Sequence, residues 1–190
     1  MPWATDVRKI DRQATLGLLG TANSLAYRIH EIEKHFHNRE IWFGEDAARS
    51  AEAKCGIRDV ITPFQVDAGD DAYGTTPLCI IGTGDVPISD GYVKLDLHHM
   101  VVVDVEATAD LKIHKVQLIW GSGTVTQAIT DDQVSDMSPF IPLRGAAFSV
   151  RNIMMPRITI GTDKVWVRHW VDGVDTGTMD FFIGFHEYAG

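Results

Sequence analysis

The chain has 190 residues, enough for one well-buried domain with an appendage and too few for two domains of ordinary size. Its 45% apolar and 9% aromatic content excludes global disorder, and a net charge of −9 with no Lys/Arg run excludes the clustered basic surface that nucleic-acid phosphates or anionic lipid require. Charges interrupt the first residues and no stretch approaches about 18 uncharged apolar residues, so neither a secretory signal nor a membrane helix is expected and the chain is read as folding in cytoplasm.

Residues 15–43 carry a seven-residue repeat. One column is Thr15, Ala22, Ile29, Phe36 and Phe43; the other is Leu18, Leu25, Ile32 and Arg39. The pattern predicts an amphipathic helix about 40 Å long at 1.5 Å per residue, stopped by Gly44. Ile in both columns and aromatics in the first suit three strands better than two, and Arg28 of one copy could meet Glu33 of the next. Leu18, Ala22, Leu25, Ile29, Ile32 and Phe36 are therefore the expected contacts of a homotrimeric stem. The same pattern also fits a helix lying along its own domain.

Residues 45–54 read as a short Ala-rich helix closed by Gly56, which completes an N-terminal stem and connector over 1–56. From Ile57 the periodicity changes to two. Strands are expected near 57–66, 77–81, 93–107, 111–120, 124–129, 145–150, 154–160, 165–171 and 179–188, separated by Gly, Asp and Pro turns such as Asp172-Gly173. Eight or nine strands with no helix between them predict an antiparallel, jelly-roll-like β-sandwich over 57–190. The fold class is thus mainly β with an N-terminal helical stem.

Candidate chemistry is sparse. Asp175-Thr176-Gly177 matches the core of the aspartic-protease loop, and a homodimer could supply the paired carboxylates. The apolar-apolar-Gly brace of those enzymes should lie much further on than Phe182-Ile183-Gly184, so a turn is the simpler reading. Among the eight histidines, His30 and His37 sit two helical turns apart, and His98 and His99, as neighbours in a strand, are expected on opposite faces, so no metal site is expected. Asp67, Asp70 and Asp71, and Asp131, Asp132 and Asp136, lack the calcium-loop order and read as solvated loops. Gly82-Thr83-Gly84-Asp85 and Gly121-Ser122-Gly123 lack a phosphate loop's Lys-Ser/Thr and are expected to be turns that open no helix. Cys55 and Cys79 read as buried thiols. Trp166 and Trp170 share a strand face beside Arg168; they are either core or contact anchors, with core the expectation. With no assignable acid, base, nucleophile, metal or cofactor, the residues point to a binding or structural protein and not to an enzyme.

The runs Ile61-Thr62-Pro63-Phe64-Gln65-Val66-Asp67-Ala68-Gly69 and Asp175-Thr176-Gly177-Thr178-Met179-Asp180-Phe181-Phe182 through Gly184-Phe185-His186-Glu187-Tyr188, with Asp96-Leu97-His98, resemble small virion structural proteins of tailed bacteriophages. The resemblance spans most of the predicted sandwich and implies a head decoration, or cement, protein, commonly trimeric, that sits on the capsid and braces the major capsid protein. It defines no functional residue. A tail, fibre or neck protein with a jelly-roll binding head is the alternative it leaves open.

Overall fold

A computed structural model of the chain describes residues 40–45, 57–58, 62–83, 91–105, 112–141, 149–173 and 177–188. They belong to one compact unit, Glu40–Gly190. The stem residues Leu18, Ala22, Leu25, Ile29, Ile32 and Phe36 lie outside the described residues, as do Asp175, Cys55, His30 and His37.

The described unit is mainly β, and its centre is a pair of long strands. β5 (Lys94–Val105) runs antiparallel to β11 (Thr178–Tyr188) for almost their whole lengths. In β11, Met179, Phe181, Ile183 and Phe185 alternate onto one face and are fully buried, as the period of two predicts. The other edge of β11 is shared by β1 (Ile41–Gly44), which extends to β2 (Ile57–Arg58), and by the first half of β3 (Phe64–Asp70). Beyond β5 lie β8 (Ser149–Asn152) and β9 (Ile158–Thr159).

β3 then leaves this group. Its residues 68–70 pair parallel with β10 (Lys164–Val171), which also pairs with β4 (Leu78–Ile81) and, over eight residues, with β6 (His114–Gly121); β7 (Val134–Asp136) lies beyond β6. Because β3 belongs to both groups, the eleven strands among the described residues form one continuous sheet curled into a half-barrel, consistent with a sandwich. The inner faces meet in a single apolar cluster, Phe43, Phe64, Leu97, Met100, Phe181 and Phe185 from one half against Val116, Leu118, Val165 and Val167 from the other. No helix among the described residues is long and apolar enough to cross a membrane.

Several expectations are corrected. The predicted helix cannot run to Phe43, because Ile41–Gly44 is strand: Ile41 and Phe43 face inward with Trp42 between them, and Phe43 is fully buried. Residues 124–129 are not a strand but the cap and body of a helix, α1 (Val125–Thr130). The Thr124 side chain accepts from the Gln127 N–H at 3.2 Å, and Val125, Ala128 and Ile129, spaced by three and four, cover Trp166 and Ile119. Gly121-Ser122-Gly123 therefore does lead into a helix. Finally, the sheet is antiparallel except where β3 meets β10. Of the predicted 154–160 strand only Ile158–Thr159 pairs.

Phe43 closes the sheet's β1 side, its ring edge-on to Phe64 at 5.4 Å and to Phe185 at 5.2 Å. Truncation there removes buried area and leaves a cavity that the two aromatic neighbours cannot fill. Phe43→Ala should cost about 3–5 kcal/mol of stability by denaturant unfolding of the intact chain; a cost below about 1 kcal/mol would mean that β1 does not seal this core.

Candidate functional site

The outer face of the β1–β11–β5 group brings together the titratable cluster with the closest geometry. Its origin is an irregularity in β5. Gly184 is paired with His99 and the next residue, Phe185, with Leu97, so His98 is an extra residue, a β-bulge. Leu97 and Met100 on either side are fully buried, and the two histidines between them both face outward, their rings 4.2 Å apart. The expectation that adjacent histidines point to opposite faces fails here because strict alternation holds only where the ladder is regular.

Glu40, at the entry to β1, reaches the same place. Its Oε1 lies 2.6 Å from His99 Nδ1 and 3.9 Å from His98 Nδ1, and one donor atom from each of the three side chains lies within 4.8 Å of the others. β1 and β5 are both neighbours of β11, hence two strand spacings apart, about 9.6 Å. The Glu40 side chain spans that gap by lying over Gly184: a Cβ at position 184 would sit 2.8 Å from the Glu40 Cδ and 3.1 Å from its Cγ, and closer still to Oε1. The absence of a side chain at Gly184 is what lets the carboxylate cross the strand. His186, two residues along the same face, is buried, and its ring lies 4.8 Å from that of His98. Two imidazole nitrogens and a carboxylate oxygen are a donor set that borderline divalent ions accept.

The other half of the sheet has a differently built outer face. One end is covered by α1 over Trp166. The rest is a row of aromatic and cationic side chains on β6 and β10. The Lys115 ammonium lies 3.8 Å from the Trp170 ring, and the Arg168 guanidinium 4.6 Å from the Tyr73 ring. Arg168 and Tyr73 are also tied by hydrogen bonds: Arg168 Nε donates to Gln117 Oε1 at 2.7 Å, Gln117 Nε2 donates to Asp136 Oδ1 at 2.7 Å, and the Tyr73 hydroxyl donates to the same oxygen at 2.7 Å. Burial first, then the hydrogen bond to Asp136 and its negative charge, push the Tyr73 hydroxyl well above its ordinary value of 10.0, against a smaller opposing effect of Arg168.

Inside the curl, His114 and His169 face each other across β6 and β10, both almost fully buried, with Nδ1 of one 2.8 Å from Nε2 of the other and the rings stacked. Of the two facing nitrogens, one must donate and the other accept.

The remaining sequence candidates resolve into structural roles. Asp71 adopts a positive φ of 47° and its carboxylate caps the Gly173 N–H at 2.8 Å, so it joins two turns. Asp131 accepts from Gln127 across α1. The Cys79 thiol lies 3.3 Å from the Ile81 carbonyl oxygen. Phe182-Ile183-Gly184 is ordinary ladder, paired with β5 on one side and, at Ile183 and Gly184, with β1 on the other. Of the two paired tryptophans, Trp166 is buried and Trp170 is half-exposed, so the core expectation holds for one and not the other. Glu40, Tyr73, Lys115 and Gln117 carried no signal in the sequence, since each is joined to its neighbours only by pairing distant in the chain.

Compared with known protein families, curated proteins and solved structures, the chain matches none.

Because the folded state holds the Tyr73 proton more tightly than the unfolded chain, its stabilising contribution is complete below pH 10.0 and is lost as pH rises from there through the raised folded value. The stability gap between the parent and Tyr73→Phe should therefore be constant, on the order of 1 kcal/mol, at neutral pH and shrink above about pH 10 in urea unfolding. A gap that stays constant to pH 11 would contradict the upward shift that burial and Asp136 together impose on Tyr73.

Proposed function

We propose that the chain is a non-enzymatic virion structural protein, a trimeric capsid decoration protein whose jelly-roll-like body grips its assembly through the outer face of β6 and β10. The observation that carries the binding part is the pair of ring–cation contacts, Trp170 with Lys115 and Tyr73 with Arg168, on one outer face. Tyr, Trp and Arg dominate the energetics of protein interfaces. Here their rotamers are already held by the Gln117–Asp136 bonds and the ring–cation contacts, so little side-chain entropy remains to be lost when a partner docks.

The virion assignment rests on the resemblance of the segments at 61–69 and 175–188 to small tailed-phage structural proteins. Residues 64–69 lie in β3, which joins the two halves of the sheet, and residues 178–188 form β11, one of its two long central strands. Three copies gathered by the predicted stem would bind a symmetric shell by avidity even where each contact is weak. A tail, fibre or neck location would use the same face.

Light scattering on the intact protein should give a mass three times the 21.1 kDa of the chain, and cryo-microscopy of particles should place it on the head with the Trp170 face toward the shell. Trp170→Ala with Arg168→Ala should weaken particle binding by about a hundredfold while leaving the strand signal in circular dichroism unchanged. A monomer would remove the stem-driven trimer, and undiminished particle binding by the double variant would remove the proposed contact face.

A further inference from the structure

We propose that Glu40, His98 and His99 form a site for a borderline divalent transition ion, zinc being the ion its donors fit best. The ion would clip β1 to β5 across the intervening strand β11.

Three independent features of the structure converge on these residues. The first is the bulge at His98. An extra residue disrupts the ladder locally, and its structural effect is to turn two consecutive imidazoles to one side of the sheet while Leu97 and Met100 remain in the core. The second is Gly184, whose bare backbone forms the floor over which the Glu40 carboxylate reaches His99. The third is the donor geometry itself: one donor atom from each of Glu40, His98 and His99 lies within 4.8 Å of the others, with side-chain exposures of 23% for Glu40, 25% for His99 and 37% for His98. The site is thus shielded on the sheet side and open to water on the other.

The donor chemistry selects the ion. Two neutral imidazoles and one carboxylate suit Zn2+ and its first-row neighbours, whereas Ca2+ and Mg2+ take oxygen donors. Zinc bonds of about 2.0–2.2 Å in a tetrahedral arrangement place ligand atoms about 3.3–3.6 Å apart. The present His98–Glu40 separation of 3.9 Å must close by less than about 1 Å to meet that range, and the His99–Glu40 separation of 2.6 Å must open by a similar amount. Binding would replace the Glu40–His99 hydrogen bond with a bond from each of the two side chains to the ion. Three protein ligands leave a fourth position for water on the open side.

A clip here has a defined consequence. β1 is a four-residue strand held to β11 by three residue pairs, and it supplies Phe43 to the core. An ion binding the residue before it to β5 would secure that strand, and the folded state would gain stability with ion concentration by mass action.

The test uses the full-length protein, stripped with chelator and titrated with ZnCl2 by calorimetry, with thermal unfolding alongside. The expected result is one zinc per chain, an unfolding midpoint that rises with zinc concentration, and little response to Mg2+ or Ca2+. Glu40→Gln and the double variant His98→Gln/His99→Gln should each weaken zinc binding by about a hundredfold. Gly184→Ala replaces no ligand but puts a methyl group against the Glu40 carboxylate, and it should weaken binding by about tenfold or more; it keeps the test decisive should a ligand variant fold poorly. His35 and His37 supply the competing donors elsewhere in the chain. Zinc binding that survives the His98/His99 and Gly184 changes but is lost in His35→Gln/His37→Gln, or no stoichiometric binding at all, would overturn the proposal.

Discussion

Twelve residues of β5 run beside ten residues of β11, and the mismatch is absorbed at two places, His98 and Val103. Pairing over this length fixes the position of nearly everything else. β1 and β3 hang on the far edge of β11, β8 and β9 on the far edge of β5, and β3 carries the hydrogen bonding on to β10 and so curls the sheet over its own core. Each bulge shifts the phase of β5 by one residue. Leu95 and Leu97 precede the first, and Met100 and Val102 follow it, all buried; without the shift, one pair or the other would face water. Burial of that apolar row is what enforces the irregularity, and the irregularity is what puts two histidines side by side on the outside.

The two outer faces then differ in kind for reasons that lie in neighbouring strands. On the β1–β11–β5 side a glycine makes room for a carboxylate from two strands away, and three donors of mixed type converge at the surface. On the β6–β10 side no residue is missing. Lys115 stacks on Trp170, and Arg168 stacks on Tyr73, whose hydroxyl bonds Asp136, giving an amphipathic surface of the sort that docks against protein. Converging donors favour an ion and a stiff aromatic row favours a partner, so the two faces can act without competing.

The strands of the core were legible because their periodicity is strong: Met179, Phe181, Ile183 and Phe185, and Val165 and Val167, read as inward faces and are so. Three things misled. Val125, Thr126, Ile129 and Thr130 are β-branched, which hid a one-and-a-half-turn helix whose evidence was the Thr124 cap and the spacing of Val125, Ala128 and Ile129. Phe43 continued a seven-residue column, yet Ile41-Trp42-Phe43 is also a β-branched and aromatic run with period two, and tertiary pairing with β11 decides between them. The histidine pair was dismissed by assuming unbroken alternation, although the sequence itself slips by one between Leu97 and Met100. That slip was readable; the approach of Glu40 over Gly184 was not, because it depends on strands far apart in the chain being neighbours in the sheet.

The pairing register of β5 and β11 tests this account most directly. Cross-strand nuclear Overhauser contacts in the intact, isotope-labelled protein should set His99 opposite Gly184 and Leu97 opposite Phe185, with His98 left over between them and its ring close to that of His99. A regular ladder that sets His98 opposite Phe185, with one histidine ring turned into the core, would contradict it.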